Sequence, residues 1–416
     1  MNQRRLVLIS YYFPPAGGRS AAASVRLGKF AQYLPEYGWS PLVVTADEHA
    51  FDLRDDSLVF ASDTAVCRVR DPIGRFRGRD RLSPWLPAPG LFLPWAIRAA
   101  QVARGLVRTH QPELVLASSP PVASFVAGYL TQRQTGLPLV LDYRDQWTLS
   151  PYRSGPTLLR KWDQRLESRV LRCSRRVIVS NDGRLSEHAA FWGELSPPSS
   201  VVPNGYDGRD FVEIRPDRVA AQALGSEVVI SHLGAIYGPR GATTRSLLNA
   251  LNAYLRGRAE APTVKVQFTG VVPDDLFRLD SALSSRLILE HRPRALRREA
   301  LELEMGADVL LLLIGRHAQA NAETSSKVFE YLAAGRPILV GGESALLHES
   351  TAGVDRIFWA GDEPTPLTFA HFFDWLSEHG RGIPSDRALA HLQAQYPAYD
   401  RRNIANQLAV ILDGVK

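Results

Sequence analysis

Apolar positions along the chain fall into two alternating patterns. Short unbroken runs such as Leu114–Ala117 and Leu139–Leu141 have the character of strands buried on both faces. Between them lie longer stretches whose apolar residues recur at helical spacing. In the first half this predicts strands over 5–10, 41–45, 65–69, 113–117, 138–141, 176–179 and 200–202, with helices near 20–37, 94–109, 122–135 and 156–172. A cluster of turn formers, Pro203-Asn204-Gly205-Tyr206-Asp207-Gly208, then breaks the series. The alternation restarts with strands over 228–231, 264–269, 287–290, 309–314 and 337–340, and helices near 242–256, 295–305 and 325–334. Beyond these, 399–412 carries helical spacing through Ile404, Leu408 and Ile411–Leu412.

Alternating strand and helix signals specify an α/β architecture with parallel sheets. Two Rossmann-like doubly wound domains are expected, residues 1–205 and 206–395, followed by a terminal helical segment, 396–416. Ligands of such sheets bind beyond the carboxyl ends of the strands, so two sheets facing across a cleft would place their post-strand loops together.

Composition narrows the class. The 416 residues are 45% apolar and 22% charged, as in a water-soluble globular protein. No apolar run approaches the roughly 18–20 residues that span a bilayer. The apolar opening stops at Pro14–Pro15 without a small-residue cleavage site, so it reads as a first strand and not as a secretory signal. Cys67 and Cys173 stand far apart, suggesting neither a disulfide framework nor a zinc site, and a cytoplasmic setting is expected. Charge is uneven: residues 1–205 hold 26 Lys and Arg against 17 Asp and Glu, the remainder 23 against 26. The basic half is either an ordinary solvated surface or one that meets an anionic membrane leaflet. No basic cluster sits on a recognition element for nucleic acid, which is not expected as a partner.

Four post-strand segments carry candidate chemistry. The first, Tyr11–Ser20, contains Gly17 and Gly18, whose amides can approach an anion at a helix start, with Arg19 adding charge. A tight turn with no ligand accounts for it equally well. The second, Asp142-Tyr143-Arg144-Asp145-Gln146-Trp147, follows a buried strand. One of its carboxylates, Asp142 or Asp145, can take a proton or bind a sugar hydroxyl, and Trp147 or Tyr143 can stack on a pyranose; the alternative is an Arg144–Asp pair that fixes the loop. The third, Gly234–Gly241, places Arg240 at a helix start, where it can neutralise a departing phosphate or be merely solvated. The fourth is Asn321–Val340, a helix opened by Ser325 and Ser326 and ended by Gly335. Its first amides and Lys327 can hold a diphosphate, and Glu330, on the same face as Lys327, can accept both hydroxyls of a ribose. A Lys327–Glu330 surface pair is the plainer reading.

The YYFPPAGG start, SVRLGKFAQYL, LPLVLDYRDQW, PNGYD, Leu233–Gly241 and above all SSKVFEYLAAGRP resemble glycosyltransferase family 4, with the GT-B fold, in particular its bacterial branch that assembles surface polysaccharides. The resemblance implies a retaining hexosyltransferase that needs no metal or cofactor beyond a nucleotide-diphosphate sugar as co-substrate. It implies a glycan or polyprenyl-linked acceptor on the first domain, the donor nucleotide on the second, and a tail that crosses back to the first. It also implies that Glu330 binds ribose, that Arg240 and Lys327 face the diphosphate, and that Gly17 and Gly18 approach it from the other domain. Two departures stand out. The family spaces two glutamates by seven residues, but Ala322 occupies the earlier position, with Glu323 one residue off, and Ala235 replaces a frequent arginine. No Asp-x-Asp sequence closes a strand, consistent with metal-independent transfer. Arg75, Arg77, Arg79 and Arg81 ahead of Trp85 and Trp95 suit a peripheral contact with the inner face of the cytoplasmic membrane. A nucleotide-sugar epimerase or hydrolase of the same fold, or a catalytically silent partner protein, are the rival readings.

Overall fold

A computed structural model gives the fold of the chain. It describes residues 4–415 apart from 75, 77–81, 83, 84, 151–155, 213, 215–225, 257, 316–326 and 381, and for Arg19 the backbone only. The chain forms two compact units, Met1–Asn204 with Arg401–Lys416, and Gly205–Asp400. The return to the first unit thus comes at Arg401, and residues 396–400 stay with the second.

The first unit is built on a parallel sheet of seven strands, β1 (Arg4–Ile9), β2 (Trp39–Ala46), β3 (Ala65–Val69), β4 (Leu114–Ser119), β5 (Leu139–Tyr143), β6 (Arg176–Val179) and β7 (Ser199–Val201), in the order β3-β2-β1-β4-β5-β6-β7. Successive side chains of a strand point to opposite faces. Val7, Ile9, Val115, Ala117, Leu139 and Leu141 therefore pack on one side with Trp95, Ala99 and Phe125, from the helices Leu93–His110 and Ala123–Thr135. Leu6, Leu8, Leu114, Leu116 and Val140 pack on the other, with Leu27 and Phe30 of the helix Ala21–Tyr33 and Ile404, Leu408 and Leu412 of the helix Arg401–Asp413.

The second unit repeats the plan with six strands: β8 (Glu227–Leu233), β9 (Thr263–Thr269), β10 (Leu287–Arg292), β11 (Val309–Leu313), β12 (Ile338–Gly341) and β13 (Ile357–Gly361), in the order β10-β9-β8-β11-β12-β13. Helices Pro239–Arg256 and Pro366–His379 cover one face, and Arg297–Gly306 and Lys327–Ala333 the other. Both sheets are doubly wound, as the apolar pattern predicts. The strand Ile357–Gly361 and the helices Asp182–Trp192, Pro366–His379 and Ser385–Gln395 were not signalled by that pattern. β13 is a sheet edge with a single buried residue, and the helix Asp182–Trp192 buries only His188 and Trp192, so neither prints a clear period.

Candidate active site

In each sheet the chain starts at the centre, runs to one edge, and returns to fill the other side. The switch points therefore lie between β1 and β4, and between β8 and β11, where doubly wound sheets bind ligands.

In the second unit the loops leaving β8 and β11 converge. Gly315, just after β11, lies so close to the start of the helix Pro239–Arg256 that an added Cβ would sit 3.0 Å from Pro239 and 3.2 Å from the Arg240 amide. Gly234, just after β8, has a φ of +137°, open to glycine alone, and the Lys327 ammonium lies directly over its Cα. Arg240 reaches to within 5.7 Å of the Tyr237 ring. Tyr331 fastens the helix of Lys327 to this strand end, its hydroxyl accepting from the Leu233 amide at 3.3 Å. Lys327 and Arg240, drawn from segments far apart in sequence, thus flank one strand end. Burial and the neighbouring Arg240 and Arg297 cations lower the Lys327 pKa, while Glu304 and Glu330 oppose the shift.

Glu330 does not pair with Lys327 in the plain helical sense. Its partner is Arg297, at 2.7 Å, which also holds Asp210 at 3.1 Å. Burial works against charge on Glu330, but the Arg297 guanidinium outweighs it and keeps this carboxylate below its ordinary pKa. Glu304, 2% exposed on the preceding helix, behaves oppositely: burial and then the charge of Glu330 push its pKa well up. One further side chain escaped the sequence reading. His232, the penultimate residue of β8, is 5% exposed, and its Nδ1 bonds the Leu311 carbonyl at 2.9 Å. Burial, then the Lys327 charge, hold its pKa down at about 3, so the ring is neutral. Only its position at the end of an apolar strand could have flagged it.

Ser325, Ser326, Glu323 and Ala322 lie outside the described residues, as do Arg75, Arg77, Arg79 and Arg81.

The first unit corrects several expectations. Asp142 is 1% exposed and belongs to β5 itself, bonded by Arg26 at 2.8 and 3.1 Å and by the Ser118 hydroxyl at 2.7 Å. It is a structural carboxylate, not one that meets an acceptor. Trp147 is 2% exposed and packs near Phe125, so it offers no face to a pyranose. Arg144 and Asp145 form the loop pair at 2.8 Å, with Asp145 the carboxylate of this segment that faces solvent, 59% exposed. The Gly17 amide already donates to the Leu53 carbonyl at 2.9 Å, and a Cβ on Gly18 would meet the Asp52 carboxylate at 2.9 Å. These glycines permit close approach of the segment 52–55, and the Gly17 amide is not available to an anion. The Arg19 side chain is outside the described residues. Trp95 is fully buried, whereas Trp85 is 66% exposed.

Comparison with known proteins agrees with this architecture. Residues 22–205 match the model of the glycosyl transferase 4-like domain. No curated protein sequence matches the chain significantly. Among solved structures, a sucrose-phosphate synthase from Thermosynechococcus elongatus is similar over 99% of this chain and 98% of its own, with 14% identity and a TM-score of 0.66. An alpha,alpha-trehalose 6-phosphate synthase from Burkholderia multivorans aligns over 99% and 97%, with 12% identity and a TM-score of 0.58. A glycosyltransferase from Rickettsia africae aligns over 99% and 94%, at 11% identity and a TM-score of 0.52. Residues 22–205 thus match a glycosyl transferase 4-like domain, and the fold of the whole chain is the two-domain, Rossmann-like GT-B fold.

Among the described residues no helix is long and apolar enough to cross a membrane, and no cluster of His, Cys, Asp and Glu could hold a metal ion.

Proposed function

We propose that this protein moves a hexose from a nucleotide-diphosphate sugar to a glycan or lipid-linked acceptor, with retention and without a metal, in cell-surface polysaccharide assembly. The observation that carries the donor half is the placement of Lys327 and Arg240 around the glycine turn at the end of β8, with the carboxylate of Glu330 fixed nearby by Arg297. Breaking a sugar–phosphate bond leaves negative charge on the diphosphate and positive charge on the ring. Cations and a helix start already in position stabilise that leaving group without reorganising at the moment of bond cleavage. Lys327 and Arg240 are the leaving-group residues in this reading. Glu330, kept ionised and oriented, accepts from the ribose hydroxyls, with Glu323, Ser325 and Ser326 completing the donor site. Asp145, the solvent-facing carboxylate of the first unit's 142–147 segment, is assigned to the acceptor hydroxyl.

Peripheral membrane contact at the cytoplasmic face is supported by the helix Thr157–Arg172. Leu158 and Trp162 are 74% and 49% exposed, Arg160, Lys161 and Arg165 are exposed beside them, and Asp163 and Glu167 are turned into the core. Such a surface presents apolar anchors and only positive charge, matching anionic headgroups.

Lys327→Ala and Arg240→Ala should each lower turnover through loss of about 2–4 kcal/mol of transition-state stabilisation, with the fold intact. The measurement is sugar transfer from the nucleotide sugar that raises the melting temperature in a screen of UDP-, GDP- and dTDP-sugars. Unchanged turnover in a folded double variant would reject the assignment, and donor breakdown that is independent of added acceptor would point to an epimerase or hydrolase instead.

A further inference from the structure

His232 carries an unusual constraint for a side chain in this position. Its Nδ1 faces a carbonyl oxygen, Leu311 O at 2.9 Å, which can only accept. The ring proton of neutral His232 must therefore sit on Nδ1, leaving Nε2 as a lone pair. That Nε2 is buried and has no hydrogen-bond partner among the described residues. A buried acceptor left unsatisfied costs stability, unless something that binds there satisfies it. Burial, and then the neighbouring Lys327 and Arg240 charges, keep a second proton off the ring, so the lone pair persists throughout the physiological pH range. His232 also shares its surroundings with Gly234: a Cβ built there would touch the Lys327 ammonium and lie 4.0 Å from His232 Nε2.

The end of β8 thus brings two cationic side chains and one fixed lone pair together. Phosphate oxygens satisfy the cations but bring no hydrogen for the lone pair. A hydroxyl next to the phosphate does. Resting on the donor-site reading above, we propose that His232 is a specificity-determining residue whose Nε2 accepts a hydrogen bond from a hydroxyl of the sugar carried on the diphosphate. His232 then separates a sugar-bearing donor from the bare nucleoside diphosphate that remains after transfer. It favours entry of the charged donor and release of the spent one.

The experiment compares His232→Phe, which keeps the ring outline without nitrogen, and His232→Gln, which can return an acceptor near the Nε2 position. Affinities are measured by calorimetry for UDP, GDP and dTDP and for UDP-glucose, GDP-mannose and dTDP-glucose, using whichever base the unaltered protein binds. The expected result is a loss of about 10-fold in affinity for the nucleotide sugar in His232→Phe, with less than about 2-fold change for the free diphosphate, and partial recovery in His232→Gln. Binding of the free diphosphate also reports that the variant is folded at this site. Equal weakening of both ligands, or no weakening of either, would overturn the role of His232, the former indicating that it acts only by holding Lys327. Failure of the unaltered protein to bind any of the diphosphates would instead overturn the donor site itself, and this inference with it.

Discussion

Replacing Asp142 with asparagine separates an acceptor-binding role from a structural one. In the structure Arg26 and Asp142 are 0% and 1% exposed and meet through two bonds of 2.8 and 3.1 Å. Arg26 also donates to Val202 O at 3.0 Å, Pro203 O at 2.8 Å and Asn204 Oδ1 at 3.1 Å, so its position is over-determined and it cannot swing out to water. Asp142→Asn therefore leaves a guanidinium buried without its counter-charge, and one amide hydrogen facing donors. Breaking a buried pair in this way costs about 3–5 kcal/mol. For a unit of this size each kcal/mol moves the melting temperature by roughly 2–4 °C, so a fall of roughly 6–20 °C is expected. Differential scanning calorimetry reads it directly. A variant that melts like the unaltered protein while its KM for acceptor rises would refute the structural reading and restore Asp142 to the acceptor site.

Two other outcomes follow from the same unit. Burial lifts the Glu167 pKa to about 7, against the pull of the Thr148 amide at 2.9 Å, which is above the roughly 4.3 of an unfolded glutamate. The folded state then favours the protonated acid, so its contribution is complete below pH ~4.3 and lost as pH rises through 7, a change of about 4 kcal/mol. Urea unfolding between pH 4 and 8 should show this decline relative to Glu167→Gln; parallel profiles for the two proteins would contradict it. Vesicles containing phosphatidylglycerol should sediment the protein at low ionic strength and release it at high salt, with binding weakened by Leu158→Ser and Trp162→Ser together. Failure to sediment even at low salt would argue against a membrane surface on the helix Thr157–Arg172.

The sheets were readable because buried parallel strands must be apolar on both faces, and that demand marks Leu114–Ala117 or Val309–Leu313 without ambiguity. The switch points then follow from topology. The pairings within the sites were not readable, because their partners are set by folding and not by spacing. Asp142 meets Arg26, 116 positions away, and Glu330 meets Arg297, 33 positions away, where helical periodicity suggested Lys327. Trp147 follows a strand directly and looks like a loop aromatic, yet the chain turns it inward against Phe125. Polar residues that lie in the interior, such as His232 and Glu304, print the same letters as exposed ones, and burial alone gives them their chemistry.

The helix Arg401–Asp413 supplies Ile404, Ala405, Leu408 and Leu412 to the interior of the first unit, although the whole of 205–400 is synthesised in between. On a ribosome adding about 5–20 residues per second, the apolar groove along Leu27 and Phe30 waits roughly 10–40 s for its cover. The nascent first half therefore lacks this cover for that interval, and completion of its core waits on the length of the inserted segment.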